Sequence, residues 1–248
     1  MSLKFDKSKR SIQRMLDKAP LKNNYFNELP PQKIVLLMDS TYFKRRYGYM
    51  IFRAWFPGKE KWKNLLWYKI NKETKSQYKK WLNFLENKGW EILGIVCDGK
   101  RWLLGGFNEI PTQMCLYHMK QILRRYLTKN PKLEQNKSLK MIGHCIGDYP
   151  KRDIELALNV WHEENKQRLN EKNENSNYKH VRTRKAYKSM KSKLYRCYTF
   201  QRHRELGIPR TNNSLEWINS HLKTKSSIHR WLTESRLDKF VGYYLWYS

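Results

Sequence analysis

Acidic residues are scarce in this chain: 22 Asp and Glu stand against 51 Lys and Arg among 248 residues, a formal charge of +29. Such an excess opposes compaction unless a polyanion offsets it, which points to DNA, RNA or an anionic membrane surface as partner. Long apolar runs are missing as well. None approaches the roughly 18 residues of a spanning helix, and Met1-Ser2-Leu3-Lys4-Phe5-Asp6-Lys7 has no signal-peptide core. These two absences set the membrane aside and give a cytoplasmic protein as the expectation. Cysteine is sparse: Cys97, Cys115, Cys145 and Cys197 lack a framework spacing and fit reduced thiols better than disulfides. No internal repeat is present. Apolar side chains, by contrast, make up 40%, with ten Trp and sixteen Tyr, so the chain is no disordered tail. Its length suits one elaborated domain or a domain carrying a large insertion.

Two stretches share a design. Lys33-Ile34-Val35-Leu36-Leu37-Met38-Asp39-Ser40-Thr41 sets five apolar residues before a carboxylate, which reads as a strand buried on both faces and tipped by Asp39. Trp90-Glu91-Ile92-Leu93-Gly94-Ile95-Val96-Cys97-Asp98-Gly99 repeats it and delivers Asp98 at a glycine turn. Either Asp alone is ordinary turn chemistry at a strand end. Together they point to a shared acidic site.

In chain order, residues 8–18 place Ile12, Met15 and Leu16 on one helical face and basic or amide side chains, Arg10 and Arg14 among them, on the others. This short basic helix reads as a linker or as the last helix of a helix-turn-helix facing DNA. Tyr47–Phe56 and Leu65–Ile70 flank a Pro57-Gly58 break and predict a hairpin, so three antiparallel strands follow one another. Thr74 caps a helix of Tyr78, Trp81, Leu82 and Leu85, and Gly89 stops it. A short helix around Trp102–Phe107, a fifth strand over Ile110–His118 and a helix of Ile122, Leu123, Tyr126 and Leu127 complete an α/β order of β-β-β-α-β-α-β-α.

From Pro131 to about Glu205 the pattern is helical and polar, with Ile154, Leu156, Leu158, Val160 and Trp161 marking one helix. Between Tyr178 and Arg204 stand ten Lys or Arg, including Arg182, Arg184, Lys185, Lys188, Lys191 and Lys193, and no Asp or Glu. Tyr187, Tyr195, Tyr198 and Phe200 are interleaved with them. The cations suit phosphates; the aromatics suit either base stacking or the core. Further on, Asn212, Asn213 or Thr211 can cap a helix carrying Leu215, Glu216, Ile218, Asn219, Leu222 and Lys223. Glu216 in its first turn is a partner of the helix dipole or a third carboxylate beside Asp39 and Asp98.

Asp39 and Asp98-Gly99 after apolar strands, Cys115-Leu116-Tyr117-His118 downstream, a helical insertion and then Asn212-Asn213-Ser214-Leu215-Glu216 with Asn219 and Leu222-Lys223 resemble the DDE transposases of bacterial insertion sequences, of the Mutator-like type. The resemblance covers the chain from about Gln32 onward. It implies an RNase H-like core interrupted by an all-helical insertion, with residues 1–30 a basic helix and linker, 31–124 and 206–248 the core, and 125–205 the insertion. It implies Asp39, Asp98 and Glu216 as catalytic and metal-binding residues, Mg²⁺ as cofactor with Mn²⁺ able to substitute, and Trp161 as a residue handling flipped bases. The activity implied is cleavage at element ends and strand transfer to target DNA, with water and then a DNA 3′-hydroxyl as nucleophile. Partners would be double-stranded DNA and a second copy of the chain in a synaptic complex associated with the nucleoid. Three acidic side chains suit this chemistry because hard cations prefer carboxylate oxygen, and two ions about 4 Å apart serve an in-line displacement at phosphorus.

Cys115 and His118 supply two ligands where a structural zinc site takes four, with His144-Cys145 the pair to be recruited. The resemblance marks the pair as a motif near the active site in a structural role, and His221 and His229 are expected as surface or packing histidines. Family members carry an N-terminal DNA-binding region ahead of the core, and only Ser8–Lys18 resembles the end of one. Two other readings stay open: an RNase H-like nuclease or resolvase that only hydrolyses, and a shortened, non-catalytic DNA-binding remnant.

Overall fold

The computed structural model describes residues 8–43, 47–107, 109–228 and 232–248; the expectation for His229 lies outside them. In chain order the elements are α1 (Lys9–Lys18), β1 (Lys33–Phe43), β2 (Tyr47–Phe56), β3 (Lys61–Ile70), α2 (Lys75–Asn87), β4 (Glu91–Cys97), α3 (Arg101–Leu104), β5 (Thr112–Met114) and α4 (Leu116–Leu127). There follow α5 (Glu134–His144), α6 (Lys151–Asn170), α7 (Val181–Cys197), α8 (Thr199–Arg202), α9 (Asn213–Ile228) and α10 (Glu234–Tyr247). This is a mixed α/β chain whose first eight elements after α1 run β-β-β-α-β-α-β-α. It divides into two compact units, Met1–Glu91 with Asn213–Ser248, and Ile92–Asn212.

The first unit is built on antiparallel β1, β2 and β3. Val35 pairs with Trp55 and Phe43 with Tyr47 across the first ladder; Gly48 pairs with Ile70 across the second, which carries an irregularity at Phe52/Arg53. Pro57-Gly58 closes the predicted hairpin, with Gly58 at φ +79°. Because side chains alternate across a strand, the partners of β1 tell which helix covers which face. Asp39 meets Asn219 of α9, and Arg53, on the same face, meets Ser214 of α9. Ser40, pointing the other way, meets Tyr78 of α2. The sheet is thus covered by α2 on one face and by α9 with α10 on the other, which is why residues 34–38 are all fully buried.

The predicted Thr74 cap is present as a capping box, with Gln77 N–H donating to Thr74 Oγ1 and the Gln77 side chain returning to Thr74. Gly89 stands just past the helix at φ +85°. Helix α1 is capped by Ser8, contains no buried residue, and docks on α10 through Asp17, which accepts two 2.8 Å bonds from Arg236.

In the second unit β4 and β5 pair in parallel, Ile95 with Thr112 and Cys97 with Met114. The expected fifth strand, Ile110–His118, is reduced to three residues, and Leu116, Tyr117 and His118 instead form the first turn of α4. The reason is periodicity: Leu116, Met119, Leu123 and Leu127 recur at helical spacing and are buried as one stripe. Helices α4 to α7 pack on one another, and buried Gln113 ties β5 to the end of α7: its Nε2 donates to the Cys197 carbonyl at 3.0 Å and its Oε1 accepts from Phe200 N–H at 3.0 Å. All four cysteines are free, and burial pushes the Cys197 thiol up to about 12, so that thiol is inert at neutral pH.

Candidate active site

Asp39 is not at a strand end. β1 runs four residues beyond it because Thr41 and Phe43 still pair with Tyr49 and Tyr47, although burial does drop from complete at Met38 to partial at Asp39. The carboxylate is held at both oxygens. Ser40 N–H donates to Oδ1 at 2.8 Å, and Asn219 Nδ2 donates to Oδ2 at 2.8 Å. The Asn219 amide must present its nitrogen here, since a carboxylate only accepts. Glu216 lies three residues before Asn219, hence on the same side of α9 and about 5–6 Å away between Cβ atoms. Leu215, Ile218 and Leu222, all fully buried, fix the helix in this rotation.

Two neighbours stiffen this arrangement. Tyr78 OH donates to Glu73 Oε1 at 2.8 Å, so its oxygen receives the Ser40 hydroxyl at 3.2 Å, directly behind Asp39. Burial, with Glu73 nearby, holds the Tyr78 phenol well above its usual range. Arg53 Nε donates to Ser214 Oγ at 2.9 Å and Nη1 to Asn64 Oδ1 at 2.8 Å, anchoring the first turn of α9, where Glu216 sits. Its burial lowers the guanidinium to about 10.

In the second unit Asp98 follows β4 directly. Lys100 N–H donates to its Oδ1 at 2.9 Å, and Lys100 Nζ stands 3.0 Å from Oδ2. A Cβ added at Gly99 would lie 2.6 Å from Met114 Cε and 3.4 Å from Lys193 Cε, so a side chain here would make the flexible end of Met114 shift, and Lys193 passes beside the turn. Desolvation, with Arg101 adding to it, lowers the Lys193 ammonium. Cys115 and Asn212 are brought together: Cys115 Sγ donates to Asn212 Oδ1 at 2.8 Å, and Asn212 N–H returns to Sγ at 3.4 Å. Both are fully buried, which makes the pair a clamp across 97 residues of chain. His118 is half-buried in α4, and Asn213 is exposed at the start of α9.

The sequence-derived cations divide in two groups. Arg10, Arg14, Arg182, Lys185, Lys188, Lys191 and Lys223 are exposed. Arg184 is committed to structure: it donates to Asn170 Oδ1 at 3.0 Å and covers the Tyr178 ring at 3.7 Å. Trp161, expected to handle bases, is 3% exposed. Its Nε1 donates to the Gln135 carbonyl at 3.0 Å and its ring stacks on Tyr187, so it is core between helices. An exposed aromatic pair lies on α9. Trp217, 57% exposed and adjacent to Glu216, stacks on His221 one turn on, at 4.2 Å; an i, i+4 aromatic pair was legible in the sequence. His221 is thus the packing histidine expected.

Among the described residues no three His, Cys, Asp or Glu side chains gather into a metal cluster. In the first unit Asn219, whose Nδ2 donates to Asp39, buries its Oδ1 without a hydrogen-bond partner among the described residues. An amide oxygen next to a carboxylate suits a hard cation such as Mg²⁺ or Mn²⁺ and no soft metal.

No helix among the described residues is long and apolar enough to cross a membrane. No family model and no curated protein matches the chain. Among solved structures it is similar to the Drosophila P element transposase strand transfer complex, at 13% identity and a TM-score of 0.33, over 85% of this chain. The chain spans 55% of that transposase's length, and a likeness at this level places no residue and assigns no activity.

Proposed function

We propose that the chain is a metal-dependent DNA transposase of the DDE type, with Asp39, Asp98 and Glu216 as its carboxylates and an RNase H-like core, residues 31–124 and 206–248, around an all-helical insertion, 125–205. The observation that supports this best is the Asn219–Asp39 bond, which holds Asp39 against the residue of α9 that lies one helical turn from Glu216. The element order and the +29 charge agree with it.

Asp39, Glu216 and Asn219 Oδ1 would hold a divalent ion, Asp98 serving the same reaction. When bound, such ions polarise phosphoryl oxygens and lower the pKa of water. The chain's own groups do the positioning. Ser40 N–H and Asn219 Nδ2 fix both Asp39 oxygens, Arg53 and Ser214 fix the turn bearing Glu216, and the cationic surface holds the phosphodiester backbone. In the first step a water oxygen bonds to phosphorus and the P–O3′ bond breaks, leaving a 3′-hydroxyl and a 5′-phosphate. In the second that hydroxyl attacks a target phosphodiester, releasing a target 3′-hydroxyl, so no covalent protein nucleophile is needed. Two ends processed together call for a homodimer.

The test is a labelled duplex built from the flanking inverted repeat, incubated with Mg²⁺, Mn²⁺ or a chelator. The expected products are a nicked strand and then a joined strand, both absent with the chelator. A nick without joining supports the hydrolytic nuclease instead, and binding without either product supports the non-catalytic remnant.

A further inference from the structure

We infer that a cationic cleft on the second unit, between α4 and α5, binds a single DNA strand. The inference takes from the proposed function only the choice of DNA as polyanion. The cleft is an open groove with a volume of about 700 Å³, the scale of a nucleotide-sized ligand. Lys120, Arg124, Arg125, Lys129 and Lys140 line it, and no carboxylate does among the described residues. None of these five cations has an ion-pair partner among the described residues, although the chain's exposed lysines elsewhere, such as Lys33, Lys137 and Lys166, find glutamates. Lys140 donates to the Lys129 carbonyl, tying the far wall of the cleft to the loop after α4.

The geometry follows from the helix. Leu116, Met119, Leu123 and Leu127 bury one face of α4, so Tyr117, Lys120 and Arg124, at i, i+3 and i+7, form a stripe on another. Lys120 and Lys140 converge from the two helices, and after desolvation their charges are what lowers the imidazolium of His144 on the same wall. Tyr117 is 45% exposed in this lining. Unpaired cations along a groove track phosphates, and an exposed ring among them takes a base, a combination that favours single strands because a duplex keeps its bases stacked.

The test is fluorescence anisotropy with a labelled 20-nucleotide thymidine strand and a labelled duplex of equal length. It is run in chelator across a salt series, so that failure of catalysis leaves it unaffected. Lys120→Gln with Arg124→Gln is expected to reduce the slope of log affinity against log salt by about 1.4 for the single strand, two contacts at about 0.7 each. Tyr117→Ala is expected to weaken single-strand binding about ten-fold and duplex binding not at all. Lys75→Gln with Lys79→Gln, the same charge change at two exposed positions of α2, is the control for net charge. Circular dichroism confirms that each variant is folded. Cleft variants that bind the single strand with the affinity and slope of the control would overturn the inference, as would equal losses for strand and duplex with Tyr117→Ala.

Discussion

Asp39→Asn is expected to lower strand nicking at least about 10³-fold, since it removes a charge worth several kcal/mol to the transition state at 1.36 kcal/mol per tenfold. Stability should hardly change. Asparagine keeps the shape, its oxygen still accepts from Ser40 N–H, and its new NH₂ meets Asn219, whose amide can turn to present Oδ1. A melting temperature within a few degrees of wild type, with DNA affinity retained and nicking lost, is the pattern expected of a catalytic carboxylate. Unfolding in parallel with lost nicking would make Asp39 a structural residue. The measurement is a single-turnover nicking rate beside a thermal melt of the same preparation.

The second large effect concerns stability. Trp67 is 1% exposed on β3, donates from Nε1 to the Lys22 carbonyl at 3.1 Å, and its backbone N–H donates to the Asn23 carbonyl at 3.2 Å. Trp67→Ala removes the ring that holds the segment before β1 against the sheet and leaves the Lys22 carbonyl without that donor. Its cost should be about 3–5 kcal/mol, a large part of the roughly 5–15 kcal/mol that keeps a domain folded. Trp67→Phe should cost less, because most of the ring volume stays. Urea unfolding of both variants measures the difference. A Trp67→Ala loss below about 1 kcal/mol would mean that the pocket collapses around the gap.

Much of the fold was legible because local rules and tertiary packing agree. The Pro57-Gly58 turn, the Thr74 cap and the apolar runs of β1 and β4 are specified within a few residues of chain. The misreadings arose where two rules compete. Ser40-Thr41 looks like a turn, yet Thr41 is fully buried and paired with Tyr49, so hairpin pairing extends the strand. Cys115–His118 looks like the tail of an apolar strand, yet the stripe from Leu116 to Leu127 draws these residues into a helix. Trp161 belongs to the buried stripe Ile154, Leu158, Trp161, which spells core once α5 and α7 close over it.

The site was legible as separate parts. Asp39 and Asp98 each follow an apolar run and Glu216 follows a helix-capping signal, patterns visible locally. What joins Asp39 to α9 is a hydrogen bond spanning 180 residues, and what anchors α9 is Arg53, buried in the middle of β2. Neither contact leaves a local signature. The cleft on α4 was hidden for the opposite reason: in a chain this basic, a stripe of Tyr117, Lys120 and Arg124 does not stand out until its lack of acidic neighbours is seen.

The central claim is that Asp39, Asp98 and Glu216 serve one reaction, and a double-mutant comparison of nicking and joining tests it most directly. Residues that act as a unit are not additive. Asp39→Asn and Asp98→Asn should each abolish both products in Mg²⁺ and Mn²⁺ with DNA binding intact, and the double variant should lose no more than either alone. Full nicking and joining by Asp98→Asn, beside an inactive Asp39→Asn, would contradict it.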